Sequence, residues 1–227
     1  MALNSELKNY LESTINTVNL PETPYFKALC AGELSQEQFV ETQNEFATMV
    51  FFFSRPMAQI IANVPDAAIP RIAIVENLWE EHGQGIKENV HGNTILTLIS
   101  RLGGDTAKIN IHQPPLNARI FNETIRSVSS FSDYRFASAV YAGIERTFVD
   151  ASTLIYEAIK NHGWLEESQI THYGLHKEID IEHAEDFLKV VNENWLEPEA
   201  QDLIKEGIKF GSHLLTNAYT SFYYSLS

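Results

Sequence analysis

Apolar residues recur every three or four positions along most of the chain, and nowhere do they alternate one by one over a strand's length. Leu7, Leu11, Ile15 and Val18 share one helical face behind Ser5, which can act as an N-cap, so a first helix is expected from Ser5 to Val18. Pro21 and Pro24 end it, and a short apolar segment from Tyr25 to Ala31 closes at Gly32. Ser35 and Gln38 form a capping box opening a long helix to about Asn63, which Pro56 is expected to kink. Pro65 and Asp66 begin the next, which carries Ile72, Val75, Leu78 and Trp79 into Glu80-Glu81-His82-Gly83-Gln84-Gly85. Either the helix breaks at those glycines or something approaches its backbone closely. Further helices are expected over Asn93 to Leu102, Leu116 to Val128, Ser132 or Asp133 to Asn161, and Leu175 to Asn194, with a last one starting at Glu197-Pro198. The pattern predicts an all-α fold, one domain over residues 1–227 with about seven or eight main helices.

Charge and composition narrow the functions open to such a bundle. A formal net charge of −14 argues against nucleic acid or an anionic membrane as partner, since both demand a basic face. The longest apolar run, Met49 to Phe53, is far too short to span a bilayer, and the polar first turn predicts no cleavable signal. The single cysteine, Cys30, excludes an intrachain disulfide and a cysteine-cluster zinc site, and fits a reducing cytoplasm.

Candidate chemistry centres on His176-Lys-Glu-Ile-Asp180-Ile-Glu-His183. Offsets of four and seven residues rotate by about 40° and −20° on a helix, so two imidazoles and a carboxylate line one stripe. Such a set suits a metal ion. Glu88-x-x-His91 is a second carboxylate–histidine pair, and Glu81 continues the inward stripe of Ile74 and Leu78. If the segment is helical through the glycines, Glu81 and Glu88 are nearly eclipsed. Glu145, among Tyr141, Ile144 and Phe148 on the core helix, is the candidate bridging carboxylate, and a salt bridge to Arg146, Arg135 or Arg126 is its rival explanation. Glu81, Glu88, Glu145 and Asp180 together bring four negative charges, which two divalent ions neutralise. Glu80 could replace Glu81 if the glycines shift the register, and Glu41 or Glu45 could add a ligand. His82, His112, His162, His172 and His213 have no partner spacing and are expected to be surface or core residues.

With these residues, and with Pro24-Tyr25-Phe26 leading to Gly32-Glu33-Leu34, the chain resembles the haem-oxygenase-like di-iron oxidases, the group within the TenA/PqqC-type helical fold that includes the chlamydial death-domain-associated protein. The resemblance implies two iron ions, ferrous in the active form and replaceable by manganese, held by Glu81, Glu88, His91, Glu145, His176, Asp180 and His183. Some members place a histidine seven residues after the first glutamate, where this chain has Glu88, so a carboxylate-richer set is implied and the bridging residues stay open. It implies an oxidase that activates O2 to attack a small organic substrate at C–H, C–C or nitrogen, with an electron donor, as a homodimer. A substrate pocket is expected around Phe51 to Phe53, with Phe52, Tyr141, Tyr156 and Phe187. The alternative is a cofactor-free TenA-like hydrolase or a small-molecule binding protein, in which the acidic cluster serves structure alone.

Overall fold

The computed structural model describes residues 2–65 and 68–226. Among the described residues there are nine α-helices and no strand, and the two short helices, α2 and α5, account for the excess over seven. They are α1 (Ser5–Val18), α2 (Pro24–Ala31), α3 (Gln36–Asn63), α4 (Ala68–Glu81), α5 (His91–Arg101), α6 (Leu116–Phe131), α7 (Tyr134–Asn161), α8 (Thr171–Val191) and α9 (Pro198–Ser225). The expected start of the fourth helix at Asp66 lies outside the described residues.

Local chemistry explains most boundaries. Ser35 and Gln38 exchange the two hydrogen bonds of a capping box, 3.2 and 3.0 Å long. Asp133 accepts from the Arg135 N–H at 2.8 Å and starts α7. At α1 the cap is Asn4, not Ser5: its Oδ1 accepts from Glu6 and Leu7, which places Ser5 inside the helix. Helix α3 continues through Pro56 instead of ending there. Pro115 offers α6 no side-chain cap, and Glu45 supplies one from α3, with Oε1 accepting from the Ala118 N–H at 3.2 Å. Glu45 is therefore a tie between helices and Glu41 is exposed; neither joins the candidate metal site.

Helix α7 forms the centre, buried along its length from Ala137 to Ile159 and packed against α8 and α9. Glycines set how near α9 comes. A Cβ on Gly211 would stand 1.9 Å from the Val140 carbonyl oxygen, and one on Gly143 would stand 2.3 Å from that of Ile208. No side chain fits between these backbones. Gly211→Ala is expected to destabilise the protein by about 3 kcal/mol or more, because rigid backbone has to retreat. A thermal melt within 2 °C of the parent would show that the helices separate at little cost. Opposite this pair, α3 packs on α6 and α5, and α4 lies across α8, which leaves an interior bounded by α3, α4, α5, α7 and α8.

Candidate metal centre

Helix α8 begins at Thr171, one turn earlier than the sequence pattern predicts, so its inward stripe carries four groups: His172, His176, Asp180 and His183, all 4 % exposed or less. His176 Nδ1 lies 2.9 and 3.0 Å from the two Asp180 oxygens. Nδ1 therefore donates to Asp180, and Nε2 is buried without a partner. His183 is held from its other side, with Nε2 donating to Glu80 Oε2 at 2.7 Å and Nδ1 turned to Asp180 Oδ1 at 3.3 Å.

Glu80 and Glu81 come from the last turn of α4, which stops because Gly83, Gln84 and Gly85 all take positive φ values of 63°, 52° and 84°. A Cβ on Gly83 would approach the Val90 nitrogen to 2.5 Å, so the turn folds tightly back on itself. The segment is thus not helical through the glycines, and Glu88 is not eclipsed with Glu81. It is exposed on a short 3-10 turn, outside the cluster. His91 reaches the interior by another path. The turn returns the chain so that His91 opens α5, and its Nδ1 stands 2.9 Å from Glu81 Oε1, close but misaligned for a hydrogen bond.

Glu145 projects from α7 into the same space, 3 % exposed, with Oε1 lacking any hydrogen-bond partner. The arginine explanation fails. Arg146 pairs with Glu12 and Asp150, Arg135 with Asp133, and Arg126 with Glu123. Burial, reinforced by Asp180, pushes the Glu145 carboxyl well above the usual carboxylate range. Burial opposes charge on His183 too, but Asp180, Glu145 and Glu80 outweigh it and lift its pKa to about 10. Burial likewise works against ionising Glu81 and Asp180, yet the neighbouring imidazoles, His91 for the first and His176 for the second, hold both below their ordinary values.

These features fit a metal. Three buried carboxylates face imidazole atoms with unsatisfied lone pairs or unshared protons, and the usual counter-ions are engaged elsewhere. Glu81, Glu145 and His183 offer ligand atoms all within 4.8 Å of one another, a spacing that one cation can bridge. Asp180, His176 and His91 border this trio.

The adjoining cavity, about 50 Å³, is lined on one side by Glu81, His91, Glu145, His172 and His176 and on the other by aromatic and aliphatic groups including Phe46, Met49, Phe53 and Phe148. Five expected pocket residues, Phe51, Phe52, Tyr141, Tyr156 and Phe187, are outside its lining. Phe53, not Phe52, faces the space. Tyr141 stands behind the wall, its ring against Phe53 and Phe187 and its hydroxyl donating to the Phe53 carbonyl at 3.2 Å. Tyr156 lies on the outer side of α7 under the Lys177 ammonium, 3.8 Å from the ring centre. His172, expected to be an ordinary histidine, does line the cavity. Burial drives its pKa well below the usual value, so the ring is neutral.

Comparison with known proteins agrees with this architecture. A domain of unknown function with a haem-oxygenase-like fold from Shewanella denitrificans superposes with a TM-score of 0.78 at 14% identity, over 97% of this chain and 92% of the other. A TenA homologue from Pseudomonas syringae gives 0.73 at 11% identity, over 97% and 91%. A CADD-like protein of unknown function from Nostoc punctiforme gives 0.73 at 16% identity, over 98% and 97%. No curated protein sequence matches the chain. Residues 41–214, which include every residue of the buried acid–imidazole cluster, match the family described as iron-containing redox enzyme. Among the described residues no helix is long and apolar enough to cross a membrane. On the strength of that match the chain belongs to the iron-containing redox enzyme family, with the all-α haem-oxygenase-like fold.

Proposed function

We propose that the protein is a non-haem oxidase that uses two iron ions and O2 to oxidise a small organic molecule at a C–H, C–C or nitrogen centre. The observation that carries this reading is the meeting of Glu81, Glu145 and Asp180 with His91, His176 and His183 in the interior, while Arg146, Arg135 and Arg126 pair with other carboxylates. These six side chains would hold the iron. Ferrous iron supplies the reducing electrons that O2 activation requires, which no side chain here provides.

The chain's own residues do the rest. Asp180 fixes His176 through Nδ1 and leaves Nε2 free, and Glu80 fixes the orientation of His183 through Nε2. Burial and the nearby Asp180 oppose ionisation of Glu145, and a bound cation would favour its carboxylate form. Phe46, Met49, Phe53 and Phe148 keep the substrate side dry and favour an apolar body.

Full-length protein supplied with ferrous iron is expected to bind close to two equivalents and to consume O2 in an iron-dependent way, measured by metal analysis and an oxygen electrode. His183→Ala should lose at least one equivalent with the fold retained, while His213→Ala, at an exposed site on α9, should lose none. Negligible uptake of iron or manganese would transfer the cavity to the cofactor-free hydrolase or binding-protein reading.

A further inference from the structure

One buried polar atom on the cavity wall has no part in the proposed metal set: Nε2 of His172. Its chemical state follows from hydrogen-bond bookkeeping. The Thr94 hydroxyl has a single proton, which it donates to the His91 carbonyl oxygen at 2.9 Å. The same oxygen lies 2.8 Å from His172 Nδ1. Having spent its proton, Thr94 can only accept there, so Nδ1 carries the hydrogen and Nε2 is a bare lone pair. The ring cannot turn to hide it, being wedged against Tyr173 at 5.0 Å, His176 at 4.5 Å, and Phe46 and Phe148 at 6.4 Å between centroids.

A lone pair so fixed suits either a cation or a hydrogen-bond donor. The geometry favours the donor. His91 and His176 each stand beside a carboxylate of the cluster, Glu81 and Asp180, whereas the hydrogen-bond partner of His172 is the neutral hydroxyl of Thr94. The His172 ring stands between His176 and the aromatic pair Phe46 and Phe148, next to where a substrate's body would lie.

We propose that His172, locked by Thr94, is the specificity-determining acceptor of the cavity, and that the substrate is a small amphipathic molecule presenting an O–H or N–H to Nε2. An alcohol, amine or amide satisfies that atom. A carboxylate or carbonyl oxygen at the same place sets lone pair against lone pair and is rejected. Calling the bound molecule a substrate rests on the oxidase reading; the acceptor itself does not.

The test uses the full chain with 15N-labelled histidine, metal-free and zinc-loaded, and two probes of similar size: ethanol, which donates, and acetonitrile, which does not. In the free protein His172 is expected to show a protonated Nδ1 and an unprotonated Nε2. Ethanol should shift the Nε2 resonance saturably and bind about tenfold tighter than acetonitrile, the ratio that one added hydrogen bond gives. Thr94→Val should erase that ratio and Thr94→Ser restore it, while His172→Phe removes the resonance and leaves metal content unchanged. The Thr94 pair carries the test if His172→Phe does not fold. A protonated Nε2, equal shifts by both probes, or loss of a metal equivalent in His172→Phe would each overturn the assignment. If the wild-type chain takes up no iron and ethanol still docks on Nε2, the oxidase reading falls and the acceptor stands.

Discussion

Glu145→Leu is expected to make the metal-free protein more stable while abolishing iron binding. The carboxyl is 3 % exposed, one oxygen has no partner, and its nearest charged neighbours include Asp180 and Glu81. In the absence of a cation it is a polar group stranded in the interior, its ionisation opposed by burial. Exchanging such a group for a hydrophobe of similar length is worth about 1–4 kcal/mol. For a chain of this size that raises Tm by roughly 3–10 °C, measured calorimetrically in chelator. Metal analysis of the same variant should show the loss of at least one ion. An unstable variant that still binds iron would mean that Glu145 props up the bundle and has no hand in the site. The expected sign is what separates the two roles, because a residue kept for structure does not improve the structure by leaving.

The parts of this site that could be read from the sequence are those set by local periodicity. The spacing of His176, Asp180 and His183 follows from helix geometry alone, and the structure places them on one buried stripe. Glu145 sat on a predicted core helix with apolar neighbours one turn away, so its direction was equally legible. The capping residues Ser35 and Asp133 are visible because a cap is a contact within three residues. Glu88 fails for the opposite reason. Its expected position assumed a helix through Gly83 and Gly85, and left-handed backbone there turns the chain out and back. His91 still meets Glu81, but by way of that turn and not along a helical face.

His172 was within reach of the same reasoning. It precedes His176 by four residues and extends the stripe by one turn; a helix that starts at Leu175 does not include it. The start at Thr171 follows an Ile170 cap that has no side-chain hydrogen bond, so the sequence carries no capping signal there. The contact of Glu80 with His183 could not be found this way, since it joins residues 103 positions apart. Nor could the pocket residues Phe52 and Phe53 be told apart, because a helix wall two residues wide turns on rotation that periodicity fixes only loosely.

Opposite responses to pH in the metal-free and metal-loaded protein are the second large effect expected. Without metal the site stores protons. His183 is raised from 6.5 to about 10, so the stability it contributes is complete below pH 6.5 and is lost as pH climbs through 10. Glu145, also raised, acts in the same direction, since its neutral form belongs to the folded state and the unfolded chain ionises first. The lowered Glu81 and Asp180 act at the acid end, where their contribution disappears below about pH 4. Between pH 6.5 and 10 the metal-free protein is therefore expected to lose Tm steadily, and His183→Gln should flatten that slope. Manganese, which needs no anaerobic handling, reverses it. An ion held by His183 and Glu145 would displace the protons bound there, so the apparent affinity is expected to rise about tenfold per pH unit for each proton released. Titration calorimetry in two buffers of different ionisation enthalpy counts those protons directly. A count of zero, or a metal-free Tm that climbs with pH over this range, would mean that these side chains meet for a reason other than a cation, since it is competition between proton and metal for the same atoms that sets the two slopes against each other.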